Sequence, residues 1–427
     1  MKKFVLSVLL LSSTILFAQK NDLDRIISLQ EVTRIEKALS SDEMQGRKIF
    51  TPGIEKAADF IAAEFKNMKV DPLAGLTTHR QTFRLIRSKV TGASGKIGSE
   101  PVTQNEVIVL STQDSIQVSE ASNYTRLYFD STVKVLGEAQ RIARENRNYI
   151  VFIDKSHASD FQKLKRLKRQ TFPMNHNILF VLSQGNPGSF SVSITQQNEQ
   201  LQLSNVVGMI PGKSKPDEFV IFSGHYDHLG IGKPNAAGDS VYNGANDDAS
   251  GITAMLMLAK YFNTLKNNER TLVFAAFTAE EVGGYGSRYF SSQINPDKVV
   301  AMFNIEMIGT ESKWGKNNAF ITGYEKSDMG SILQRNLEGS AFKFEPDPYP
   351  DQNLFYRSDN ATLAALGVPA HTISTTQMDK DKFYHSADDE IETLDLGNMT
   401  EIIKAIAISS RSIISGKEAP TRVEKLN

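Results

Sequence analysis

Phe219-Val220-Ile221-Phe222-Ser223-Gly224-His225-Tyr226-Asp227-His228-Leu229-Gly230 is an apolar run that breaks, at a glycine, into two histidines flanking an aspartate. The first residues are of the buried-strand type, so His225 emerges at the C-terminal end of a strand. In an open sheet of parallel strands, ligands gather at that end. If extended geometry persists, Asp227 points to the same side two residues on, and it could hold the second imidazole nitrogen. Alone, a His-x-Asp triplet is more often an ordinary loop histidine than a metal site. Its weight comes from its surroundings.

Downstream, Tyr242-Asn243-Gly244-Ala245-Asn246-Asp247-Asp248-Ala249-Ser250-Gly251 stands directly before an apolar helical pattern. Two adjacent acids among small residues are costly to bury without a compensating cation or a capping role, and helix capping accounts for only one of them. A strand-like run, Thr271 to Phe277, ends in Thr278-Ala279-Glu280-Glu281, where successive side chains diverge, so one carboxylate can ligate while the other faces water. Another, Val299 to Ile305, carries Glu306 at its end, and Phe383-Tyr384-His385-Ser386-Ala387-Asp388-Asp389 places a histidine in a loop before the last helical pattern. Strand and helix junctions that supply His, Asp, Glu-Glu, Glu and His in turn form a metal constellation. The chain has no cysteine, so the ligands are nitrogen and oxygen only; this donor set suits zinc, with manganese or cobalt as substitutes.

Further outward, buried-type strands are expected at Val206 to Ile210, Glu218 to Ser223, Thr271 to Phe277, Val299 to Ile305 and Val368 to Ser374. Helices are expected at Gly251 to Leu265, Gly286 to Gln293, Ser331 to Leu337 and Met399 to Ser415. Strand followed by helix, repeated, implies an α/β fold of three layers, α/β/α, with a mostly parallel central sheet. Upstream, two amphipathic helices between Leu29 and Met68 flank the loop Ser40 to Gly53. From about Phe83 to Leu203 short β-rich runs alternate with polar segments and a basic helix, Gln162 to Arg169. That region, 86–203, reads as an inserted β-rich accessory domain that splits the enzyme-like part into 19–85 and 204–427.

Hydrophobic residues make up 40% and charged residues 23%, which excludes wholesale disorder and a multi-span membrane protein. Lys2 and Lys3 precede an apolar run from Phe4 to Phe17 and then Ala18-Gln19, the pattern of a secretory signal peptide cleaved after Ala18. An uncleaved anchor is the competing reading, but the run is short for a span and is diluted by Ser7, Ser12, Ser13 and Thr14. Removing the two lysines takes the formal charge from −1 to −3, so no basic field draws nucleic acid or acidic membrane. The run Lys163 to Lys168 reads as a solvated helix face. His79, His157, His176, His228 and His371 read as ordinary structural or surface residues.

In order, SGHYDHLG at Ser223, NGANDDASG at Asn243, FTAEEVGGYGS at Phe277, FNIEMIG at Phe303, YRSD at Tyr356, LGVPA at Leu366 and FYHSADD at Phe383 resemble the zinc-dependent aminopeptidase and glutamate carboxypeptidase family of di-zinc exopeptidases. LSSDEMQGRKIFTPGIEKAADFIAAEF from Leu39 is similar to the family's opening helices. The likeness covers roughly residues 25 to 85 and 203 to 415. It implies one zinc on His225 and Glu306, a second on Glu281 and His385, and Asp247 bridging both. It further implies Glu280 as general base towards a metal-bridging water, Tyr384 as hydrogen-bond donor to the developing oxyanion, and Asp227 as partner of His225. The Asp247-Asp248 bond is expected to be cis. Arg357 and Asp359 would contact substrate, although Asn360 stands where many relatives carry histidine, and Glu306 where aspartate is commoner.

The expectation is therefore an exported, periplasmic or extracellular aminopeptidase acting on peptides, without nucleic acid and without a stable membrane anchor; the sequence leaves its oligomeric state open. A glutaminyl cyclase or a carboxypeptidase on the same fold, and a receptor-like binding protein without metals, are the alternatives. A receptor-like relative would show broken ligand positions, and none is broken.

Overall fold

Residues 22–167 and 170–426 are described by the structure, a computed structural model; the segment 1–18, expected to be a leader, lies outside them, as do Lys168 and Arg169 of the basic run. The chain falls into two units, one holding everything described up to Thr82 together with everything from Ser204, the other Phe83–Leu203.

In the first unit the elements are α1 (Leu29–Leu39), α2 (Pro52–Met68), the end of β1 (Phe190–Ile210), β2 (Lys215–His225), α3 (Ser250–Leu265), β3 (Arg270–Phe277), α4 (Tyr285–Gln293), β4 (Val299–Ile305), β5 (Asn318–Ile321), α5 (Met329–Asn336), β6 (Lys343–Pro346), α6 (Asn360–Ala365), β7 (Ala370–Ser374) and α7 (Leu396–Ser409). Strands are ordered β6-β5-β7-β4-β2-β3-β1. The four central strands β7, β4, β2 and β3 run parallel, and β1 and β5 join them antiparallel. This is the expected mostly parallel sheet. Every residue of β3 is buried, because helices cover both faces.

Strand alternation divides the core. Val220, Phe222, Leu272, Phe274, Phe303 and Ile305 face α1, α2, α3, α5 and α7, while Ile221, Val273, Phe277 and Met302 face Phe290 of α4 and Leu363 and Ala364 of α6. Phe222 sits in register with Phe274 and Phe303, and its ring stacks on both at 5.6 and 4.8 Å and on Phe262 of α3 at 5.7 Å. Phe222→Ala is expected to lower unfolding free energy by about 3–5 kcal/mol in a denaturant titration, since the parallel strands around it cannot collapse into the cavity. A loss under about 1 kcal/mol would show that the ring does not organise this layer.

The differences from the sequence reading have local causes. Strands β5 and β6 were not expected: both are short, at one edge of the sheet, and mix polar with apolar residues. The final helix ends at Ser409 and resumes only over Arg411–Ile414, because the hydroxyls of Ser409 and Ser410 turn back onto the carbonyls of Ile406 and Ala407.

The second unit carries a four-stranded sheet in the order Val107–Leu110, Ile178–Ser183, Tyr149–Asp154, Thr125–Phe129, with the first pair antiparallel and the others parallel. Helices Val135–Ile142 and Ala158–Lys163 bury Val135, Ala139, Ile142 and Phe161 against one face. The unit is therefore rich in strand but not purely β. Ser115–Ser119 pairs antiparallel with residues 191–195.

Candidate metal centre

Each charged residue of the constellation sits just beyond the C-terminal end of a parallel strand or in a loop that returns to it. His225 closes β2, Glu280 and Glu281 follow β3, and Glu306 follows β4. Asp247 precedes α3, and its peptide bond to Asp248 is cis. His385 lies in the loop after β7, at a positive φ of 55°.

The side chains converge on Asp247. Its Oδ1 is 3.1 Å from His225 Nε2, and its Oδ2 is 3.2 Å from His385 Nε2, which is also 3.2 Å from Glu281 Oε2. His225, Asp247 and Glu306 offer donor atoms all within 4.8 Å of one another. His225 Nε2 is buried without a hydrogen-bond partner, although a carboxylate oxygen lies beside it. An imidazole nitrogen and a carboxylate oxygen at this separation could serve as two ligands of one cation. Donors at 2.0–2.1 Å from a tetrahedral zinc stand roughly 3.3 Å apart, which the observed separations match. The donor set fits zinc. Burial alone would raise the Asp247 carboxyl, but the imidazoles of His225 and His385 outweigh it and hold it well below the usual range.

Supporting contacts differ in part from the sequence reading. Asp227 holds His225 through its backbone carbonyl, 3.1 Å from Nδ1, whereas its carboxylate is 4.0 Å from that nitrogen. The carboxylate instead accepts the backbone N–H of Glu280 at 3.0 Å and of Glu281 at 3.4 Å, so it sets the turn that carries both glutamates. Asp248 is the capping acid: its Oδ1 accepts from Gly251 N in α3 and from Met307 N, and its Oδ2 from His225 N. Asp389, which sequence reasoning passed over, accepts from the backbone of Asn246 and Asp247 at 2.8 and 3.0 Å. His228, read as an ordinary histidine, lies in the cluster, with Nδ1 2.9 Å from Glu281 Oε1.

Arg47 was also passed over. Its side chain is buried, and all its hydrogen bonds go to backbone carbonyls, those of Leu39, Tyr226, Asn243 and Gly244. It thereby ties the loop after β2 to the loop that carries Asp247. Gly46 allows this approach: at φ +62°, a Cβ there would lie 2.5 Å from Gly230 O and 2.6 Å from Tyr242 O.

Glu36, buried on α1, accepts the Thr253 hydroxyl at 2.7 Å, and burial pushes its carboxyl up to about 8. A carboxyl raised on folding contributes stability below its unfolded pKa of 4.5 and loses it as pH climbs to about 8. Across that window Glu36→Gln is expected to flatten the fall of unfolding free energy with pH, by up to about 1.4 kcal/mol per pH unit. Parallel slopes for variant and wild type would refute it.

Glu280, Tyr384 and Arg357 line one cleft together with Asp247, Glu306 and His385. Its walls are Met307, Phe320, Leu354 and Met378, with the hydroxyls of Thr322, Thr372 and Ser374 between them. Burial, with Glu306, Asp359 and Asp227 adding to it against the pull of His225, raises the Glu280 carboxyl well above the ordinary range. Tyr384 stacks on His385 at 3.9 Å and is 40% exposed, so its hydroxyl can reach a ligand. Asp359 does not line the cleft. It is buried at the start of α6, with both carboxylate oxygens lacking a hydrogen-bond partner, and Ser358 takes the place at the wall. Asn360 is structural: its amide donates to the carbonyls of Phe355 and Ala370 and accepts the Thr372 hydroxyl.

Residues 205–409 match the model of peptidase family M28. That match spans a little under half of the chain. A probable leucine aminopeptidase of Trichophyton verrucosum is 27% identical over 226 residues, covering 51% of this chain and 59% of the relative. A probable zinc metalloprotease of Pyricularia oryzae is 36% identical over 117 residues, 26% of this chain and 22% of the relative. The chain thus spans little more than half the length of the first of these relatives and less of the second. Among solved structures, the aminopeptidase from Aneurinibacillus sp. strain AM-1 superposes with a TM-score of 0.54 at 17% identity, covering 95% of this chain and 97% of that one. A zinc aminopeptidase from Bacillus subtilis gives 0.54 at 13% identity, covering 94% and 99%. These likenesses support the fold. All five candidate metal ligands fall inside the matched segment, whereas Arg47 and Glu36 lie before it.

Proposed function

We propose that the chain is an exported di-zinc aminopeptidase that removes the N-terminal residue from peptides. The observation that carries the reading is the convergence on Asp247 of His225 and Glu306 on one side and of Glu281 and His385 on the other, with Glu280 beside them in the same cleft. One ion would be held by His225 and Glu306, the other by Glu281 and His385, with Asp247 common to both. Zinc supplies Lewis acidity there, polarising the scissile carbonyl and acidifying water.

The chain's own groups do the rest. Glu280, beside the proposed ions in the same cleft, takes a proton from the attacking water and delivers it to the departing amine. Tyr384 donates its hydroxyl hydrogen to the carbonyl oxygen as charge builds there. Carboxylates at the cleft floor accept hydrogen bonds from the substrate's ammonium group. Met307, Phe320, Leu354 and Met378 offer an apolar wall for the N-terminal side chain, and Arg357 stands exposed at the rim.

Export rests on the Lys2-Lys3 and Phe4–Phe17 pattern; among the described residues no helix is long and apolar enough to cross a membrane. Zinc-loaded protein is expected to cleave peptides and p-nitroanilides with a free, apolar N-terminal residue and to leave N-acetylated counterparts intact. Protein that binds two zinc ions yet cleaves none across residue types, or that releases C-terminal residues instead, would end this reading.

A further inference from the structure

The histidine at position 228 has no part in the ligand set above, although His228, Asp247 and Glu281 also offer donor atoms within 4.8 Å of one another, so its place is either that of a ligand or of a support. Its side chain is fully buried, and its backbone N–H donates to Arg47 O at 3.2 Å. Gly244 packs against the ring: a Cβ on Gly244 would lie 2.6 Å from Cδ2 of His228. Nε2 is buried without a partner, so the ring's single hydrogen bond is the 2.9 Å contact from Nδ1 to Glu281 Oε1. The other oxygen of Glu281, Oε2, faces His385 Nε2 at 3.2 Å. His228 Nδ1 stands 3.9 Å from Asp247 Oδ2, farther than either neighbouring imidazole nitrogen.

We infer that His228 is a positioning residue of the metal centre: Nδ1–H occupies Oε1 of Glu281, so that Glu281 presents only Oε2 to the ion it shares with His385 and Asp247. The inference rests on the two-metal reading above. A glutamate free to swing would grip with both oxygens and fill a coordination position; one tied back leaves that position for water or substrate. Because Nδ1 is committed to a carboxylate, the neutral ring carries its hydrogen on Nδ1 and a bare lone pair on Nε2.

Wild-type protein with ¹⁵N-labelled histidines tests this without any substitution. The His228 ring is expected to show a protonated Nδ1 and an unprotonated Nε2 in both metal-free and zinc-loaded protein. A bare Nδ1, or one whose resonance moves to the metal-bound range on zinc addition, would make His228 a ligand and overturn the inference. Zinc competition against a chelating dye supplies the second measurement. His228→Ala is expected to weaken one of two zinc ions by about 10- to 100-fold and leave the other unchanged. His228→Asn, whose amide N–H₂ can take the place of Nδ1–H, is expected to recover most of that loss. Unchanged binding in the alanine variant, or equal losses in both variants, would overturn it. Should His228→Ala fail to fold, the ring tautomer in wild type decides alone. Wild-type protein that binds no zinc at all would instead defeat the two-metal reading, which keeps the two failures apart.

Discussion

Glu280→Gln is expected to bind zinc as wild type does and to turn over peptides about 100- to 10,000-fold more slowly. Glutamine fits the same buried place, and the backbone contact from Glu280 N to Asp227 is untouched by the change. What disappears is the ability to accept a proton from water and return it to the leaving amine. The effect should therefore fall on kcat, with KM and metal content little altered. Metal analysis alongside steady-state kinetics decides it: an active glutamine variant removes Glu280 from the chemistry, and one that has lost its zinc makes Glu280 a ligand.

Asp247→Asn should do more damage, because a single carboxylate faces both His225 and His385. An amide has one acceptor oxygen, so it can serve one ion and must turn an N–H₂ group towards the other. At least one zinc is expected to weaken by more than about 100-fold, the scale set by disturbing a ligand's surroundings alone, and kcat/KM should approach background. Two tightly held zinc ions in this variant would show that Asp247 does not bridge. Thermal unfolding with and without added zinc separates lost metal from lost fold, since only the wild type should gain the full zinc-dependent rise in Tm.

The sheet and the gathering of acids and histidines at its strand ends were legible because they follow patterns of short range. Runs such as Thr271–Phe277 read as strands from their apolar, β-branched and aromatic content, and a charged pair such as Glu280-Glu281 directly after one is hard to reconcile with plain core. The contacts that escaped are long-range or backbone-borne. Arg47 pairs with carbonyls some 180 to 200 positions downstream, and nothing local marks it beyond the Gly46 before it. Asp227 was placed on the correct imidazole but through the wrong atom, because the choice between carbonyl and carboxylate depends on how the chain bends after His225. Asp359 read as a substrate contact from its motif; the turn into α6 sends it inward. His228 was dismissed because its partner, Glu281, comes from a different strand end.

Arg47 carries an implication for what holds the proposed centre together. The family signature begins at residue 205, yet the loops around His225 and Asp247 are cross-tied by a guanidinium donated from before the 83–203 unit, backed by α1 with its buried Glu36. A protein cut to the signature alone would keep every proposed metal-binding side chain and still lack the brace that keeps two of them in place. The smallest piece of chain able to brace the proposed centre is thus discontinuous in sequence, joining a segment made early to loops made more than a hundred residues later.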